Sequence, residues 1–130
     1  MAGKAVLPEG FYRHPSFSAG VVVHGGRTLY VAGQLPLSPE GELVAPGDID
    51  GQLERVWQQI EAILAAAGGG LADVVRVTAY TVDNVYVGAI VAARQRRFAG
   101  LTPPASALVT VAGLAKPGAL VEIDAVAVLP

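Results

Sequence analysis

A run of β-formers from Leu120 to Val128 carries two carboxylates, Glu122 and Asp124, in its middle. Strand side chains alternate between faces, so these two share one face while Val121, Ile123 and Ala125 share the other. A carboxylate in so apolar a strand faces either water or a site. In a cleft it holds a water molecule or exchanges a proton. Glu122 is therefore the first candidate for chemistry.

The other reactive side chains offer less. His14 and His24 are the only histidines, and ten residues apart they match no metal-ligand spacing. Nothing in the pattern calls for a metal or a cofactor. Cysteine is absent, which excludes disulfides, thiolate nucleophiles and Cys-bound zinc. Ser106 follows Pro103-Pro104-Ala105 without a Gly-x-Ser-x-Gly elbow, so it reads as a turn residue. Arg94, Arg96 and Arg97 crowd the end of an expected helix, where basic side chains favour the dipole. Arg94 falls on or beside that helix's apolar stripe, an unusual place for a cation. Gly68-Gly69-Gly70 ends a helix rather than opening one and carries no Lys. It stops the helix and is not a phosphate cradle.

The 130 residues fit one domain, 1–130, with a real core. Hydrophobic residues make up 52% and charged ones 15%, a balance that suits burial of further surface between subunits. Nine basic and eleven acidic side chains leave a net charge of −2, which argues against a nucleic-acid partner. The first residues lack the long apolar core of a signal peptide. No apolar run approaches the roughly 18 residues of a membrane span. The expected location is cytoplasmic, with no membrane partner.

The elements that must position these residues follow from periodicity and punctuation. Residues 1–16 read as irregular. Phe17–His24 and Thr28–Gln34 are expected to form a hairpin about Gly25-Gly26, since two glycines accept positive φ. Leu35–Gly47 is loop. Asp48 or Asp50 caps a helix reaching about Ala67, with Leu53, Val56, Trp57, Ile60, Ile63 and Leu64 as its buried stripe. A third strand spans Val74–Val82. Asp83-Asn84 opens a second helix over about Val85–Ala99, and strands Ala107–Val111 and Leu120–Val128 close the chain. The order ββ-α-β-α-ββ predicts an α+β fold, a mixed sheet with both helices on one face. The other face then lacks cover, and a second subunit is its natural source.

Five segments in order resemble the Rid family (reactive intermediate deaminases, YjgF or L-PSP proteins). They are Tyr30-Val-Ala-Gly-Gln-Leu-Pro36, Ala65-Ala-Ala-Gly68, Asp73-Val-Val-Arg-Val-Thr78, Pro104-Ala105 and Leu120–Val128. The resemblance implies a chorismate-mutase-like fold and a homotrimer with ligand clefts between subunits. It implies hydrolysis of an imine or enamine, with a glutamate holding the attacking water, an arginine gripping the substrate carboxylate, and ammonia released. Carried over residue by residue, the family's glycine matches Gly33 and its glutamate matches Glu122. Its tyrosine falls on Phe17, its helix asparagine on Val91, and its arginine on Ser106. The expected catalytic residue is Glu122, and Phe17, Gly33, Ser106 and Val91 are the expected substrate contacts. A serine offers one neutral hydrogen bond where an arginine offers a charged, bidentate pair. The resemblance thus leaves two readings, a deaminase with an altered ligand or a binding protein without chemistry. Ribonuclease activity, which some family names suggest, fits the charge poorly.

Overall fold

The computed structural model describes residues 3–130. Its strands and helices run β1 (Gly3–Val6), β2 (Gly20–Val23), β3 (Arg27–Gln34), α1 (Ile49–Ala66), β4 (Val74–Thr81), α2 (Val87–Arg97), β5 (Ala105–Thr110) and β6 (Val121–Leu129). Four strands make one sheet in the order β3-β6-β4-β5. β6 is antiparallel to both its neighbours, and β4 and β5 are parallel. The two helices pack on one face of this mixed sheet, the α+β arrangement expected.

The core lies between the helices and that face. Val121, Ile123, Ala125 and Ala127 of β6 point into it, as do Val77 and Ala79 of β4. Opposite them stand Leu53, Val56, Trp57, Ile60 and Leu64 of α1, and Ile90 of α2. The 3, 4, 7 spacing of the α1 residues is what makes one buried stripe of them. Trp57 meets Phe98 edge-on, with ring centroids 5.6 Å apart.

Both ends of α1 are fixed by their sequence. The Asp48 carboxylate accepts from the Gly51 N–H at 3.1 Å, which satisfies one of the free donors of the first turn. At the other end Gly68 adopts φ +87°, and Gly69 N–H and Gly68 N–H donate to the carbonyls of Leu64 and Ala65. This double closure needs a left-handed residue, which the glycine run supplies. Arg97 of α2 bridges Glu54 and Glu61 of α1 at 2.6 Å each, pinning the helices together.

Gln52 was not among the expected core residues, yet it is fully buried. Its amide donates to Ala45 O and Gly118 O and accepts from Leu120 N–H. It therefore ties the start of α1 to the loop that delivers β6. Gln52→Ala is expected to destabilise the protein by about 1–3 kcal/mol in urea unfolding, because it strands buried backbone groups.

Three expectations need correction. Residues 1–16 are not wholly irregular. Met1 and Ala2 lie outside the described residues, but Gly3–Val6 is a strand that pairs with β2. The expected hairpin between β2 and β3 does not form. Ser18 N–H donates to Pro104 O at the β5 edge, whereas Arg27 pairs with Leu129 at the β3 edge. Residues 19–26 thus carry the chain between opposite edges of the sheet. The Gly25 and Gly26 φ angles, +67° and +84°, serve this crossing instead of a tight turn. At Gly26 a methyl group would stand 2.7 Å from the Leu129 carbonyl oxygen. Finally, Ser106 is not in a turn but inside β5.

Candidate functional site

β6 delivers Glu122 and Asp124 to the face away from the helices, because its alternate residues fill the core. Tyr80 of β4 stands directly opposite Glu122 in the ladder. On the other side β3 contains a bulge: Val31 pairs with Ala125 but Gln34 pairs with Ile123, so β3 spends one extra residue there. Bulges re-aim the chain beside a strand. Here the bulge brings the Gly33 backbone under the Glu122 carboxylate, so closely that a methyl group at Gly33 would stand 2.1 Å from Oε2. Only glycine leaves that oxygen its place.

These residues line a recess of about 320 Å³, walled on one side by the 111–115 loop. Inside it the Tyr80 hydroxyl donates to Asp124 at 3.0 Å. This bond, and next the Asp124 charge, raise the Tyr80 phenol above its ordinary value, with Glu122 adding to the effect. The folded phenol therefore holds its proton more tightly than an unfolded tyrosine. Its stabilising contribution is whole below the unfolded pKa of about 10 and is lost as pH rises through the folded value. In a spectrophotometric titration, one of the four tyrosines is expected to ionise late. Asp124→Ala is expected to return it to the ordinary range.

A second cluster forms where α2 meets β5. Ser106 pairs with Val77, and Val77 is a core residue, so Ser106 points toward the helices. Arg94 lies there, 5% exposed. Its Nη1 donates to the Ser106 hydroxyl, and its Nη2 to the Ser16 hydroxyl at 3.0 Å. Among the described residues its Nε has no hydrogen-bond partner, and the ion pairs found involve Arg97 instead. Burial lowers the Arg94 pKa, but a guanidinium stays charged. Among the described residues, the helix thus holds a buried cation bonded to hydroxyls and to no carboxylate.

The segment over this cation is fixed in turn. Ser16 N–H donates to His14 Nδ1 at 3.1 Å, and the Ser16 hydroxyl lies 2.9 Å from the same nitrogen. The His14 ring stacks on Phe17 at 6.0 Å. Ser18 donates its hydroxyl to Pro103 O. Val91 sits three residues before Arg94 on α2, on the same helical face.

The structure therefore brings Gly33 and Glu122 together, and brings Phe17 toward Ser106 through Ser16 and Arg94. It does not join the two groups within one chain, since they sit on opposite faces of the sheet. Tyr80 and Ser16 were missed by sequence reasoning. The alternation Arg76, Thr78, Tyr80 in an otherwise apolar strand could have placed Tyr80 beside Glu122. Nothing in the sequence marked Ser16, which reaches Arg94 across 78 residues. The signal for Arg94 was its place on an apolar stripe.

The family model described as Endoribonuclease L-PSP matches residues 12–129. Protein DfrA of Myxococcus xanthus is 38% identical over 86% of this chain and 84% of its own length. YyfB of Yersinia pestis, of the conserved Rid protein family, superposes with a TM-score of 0.92 at 36% identity, over 99% of this chain and 100% of that one. The YjgF gene product of E. coli superposes with a TM-score of 0.71 at 31% identity, over 95% and 92%.

Proposed function

The chain belongs to the Rid family of L-PSP-type proteins, and from that premise we propose that it binds a small metabolite in clefts between the copies of a homotrimer and hydrolyses an imine or enamine there. In this arrangement Phe17, Val91 and Ser106 of one copy face Gly33 and Glu122 of the next, uniting the two clusters that a single chain keeps apart. Glu122 holds the water. Water adds to the C=N carbon, the carbinolamine collapses, and the pair leaves as a carbonyl compound and ammonia. An enamine first takes a proton on carbon to become the imine.

The observation that carries this reading is the Arg94 guanidinium on the Ser106 hydroxyl. Ser106 replaces the family's arginine, and the positive charge returns from α2 instead of β5. The relocation also explains why an arginine at 106 would be unwelcome: it would set a second cation against a buried one.

The test is ammonia release from freshly generated 2-aminoacrylate and its larger imine homologues. Turnover that disappears in Glu122→Ala supports the reading, and no turnover of any imine sinks the hydrolysis. Ligand binding without chemistry is the second reading, favoured by the hydroxyls of Ser106 and Ser16 already engaging Arg94 Nη1 and Nη2. Thermal stabilisation by ligands that are never consumed would distinguish it.

RNA cleavage, which the family's description names, has less support. Of the three arginines at the end of α2, Arg94 is buried and Arg97 is paired with Glu54 and Glu61. That leaves Arg96 to meet a phosphate, against the several contacts that RNA affinity needs.

A further inference from the structure

A second cavity opens where the β1–β2 ribbon meets the start of β5. Its volume is about 450 Å³, within the roughly 300–1,000 Å³ range of small-molecule sites. Its walls are mostly apolar: Val6 ends β1 and Leu7 follows it, Pro15 and Phe17 precede β2, and Pro103 leads into β5. Three of its side chains are rings in a row. Tyr12 lies 6.2 Å from His14, and His14 lies 6.0 Å from Phe17 with only 9° between their planes. Such a row gives an aromatic guest rings to pack against, offset-stacked or edge-to-face.

The charged side chains that line this cavity have one sign. Arg13 lines it, and no Asp or Glu does so among the described residues. Behind the wall, one hydroxyl away, lies the Arg94 guanidinium. Ser16, set between the two lining residues Pro15 and Phe17, accepts from Arg94 Nη2 and contacts His14 Nδ1. An apolar cavity with stacked rings, an exposed cation and a buried, uncompensated cation is complementary to a flat apolar anion.

We propose that this cavity binds an aromatic carboxylic acid, its ring against the Tyr12–His14–Phe17 row and its carboxylate on the Arg13 side. This deepens the function proposed above by naming the ligand class, and it rests on that reading in taking the surroundings of Phe17 as part of the ligand cleft. Recognition is divided: the rings select the arene, and the cations select the acid over a neutral isostere.

The test is calorimetric titration of the intact protein with 3-phenylpropionate, propionate and 3-phenylpropan-1-ol. The phenyl acid is expected to bind about tenfold more tightly than either the alkyl acid or the alcohol. Arg13→Gln is expected to abolish the preference for acid over alcohol. Phe17→Leu keeps apolar volume but removes the ring, and is expected to weaken both phenyl compounds. Equal affinity for acid and alcohol, or no gain from the phenyl group, overturns the proposal. Binding of the phenyl acid with no ammonia release from any imine leaves this proposal standing and removes the hydrolysis. Ammonia release from small aliphatic imines, with no phenyl-acid binding, does the reverse.

Discussion

Ser106→Ala is expected to destabilise the protein by about 1–3 kcal/mol, the cost of stripping a partner from a buried polar group. Adding Arg94→Met to it is expected to reverse the sign. The double variant should unfold at a higher denaturant concentration than the parent protein, by about 1 kcal/mol or more. The reasoning rests on which charge is left alone. In the parent, the Arg94 guanidinium has given up water for two hydroxyls and, among the described residues, leaves Nε unpaired. A methionine fills much the same volume without that desolvation cost. Removing Ser106 with it leaves no orphaned hydroxyl, and Ser16 retains His14. If the double variant proves less stable than either single change, Arg94 is stabilising the fold and is not a cation held for a ligand. A stability gain coupled to loss of carboxylate binding is the trade expected of a functional group kept at the fold's expense.

Gly33→Ala should leave stability nearly unchanged and lower imine turnover about a hundredfold, as displacing a catalytic group by about 1 Å can do. The added methyl would stand 2.1 Å from Glu122 Oε2. That oxygen ends a flexible side chain, so the carboxylate swings aside and the sheet stays intact. Circular dichroism and urea unfolding should match the parent while ammonia release falls. Glu122→Gln supplies the comparison, since it keeps the shape over Gly33 and removes the charge. Full activity in Gly33→Ala would show that the close approach has no part in positioning Glu122.

The residues that were legible in the sequence are those whose periodicity is self-contained. The stripe of α1 from Leu53 to Leu64, its Asp48 cap and its glycine stop all lie within one local stretch, and each was found where expected. The alternation that put Glu122 and Asp124 on one face is equally local. What local pattern could not supply was partner choice. Gly25-Gly26 announces positive φ, but positive φ serves a crossing as well as a hairpin. The choice lay with Ser18, which fastens that end of the chain to Pro103 and Pro104, 85 residues away for its hydroxyl bond. β1 was missed because Gly3–Val6 is short and gains its identity only from β2. Arg94 sat between these cases. Its position on an apolar stripe was visible, but its neighbours Ser16 and Ser106 come from distant segments that only the fold brings together. The bulge in β3 belongs with it, since nothing in Val31–Gln34 alone says that β6 will be one residue shorter.

The departure of β2 from the sheet has one more consequence. β3 is an eight-residue strand with β6 on one side and, among the described residues, no strand on the other. In an antiparallel ladder only every second amide points at the neighbour. The amides of β3 should therefore exchange deuterium in a two-residue alternation, slow where they face β6 and close to open-chain rates between. Dilution then becomes informative. If the outward-facing amides are protected at high protein concentration and lose that protection on dilution, the edge is where copies of this chain meet, and β3 reports the assembly amide by amide.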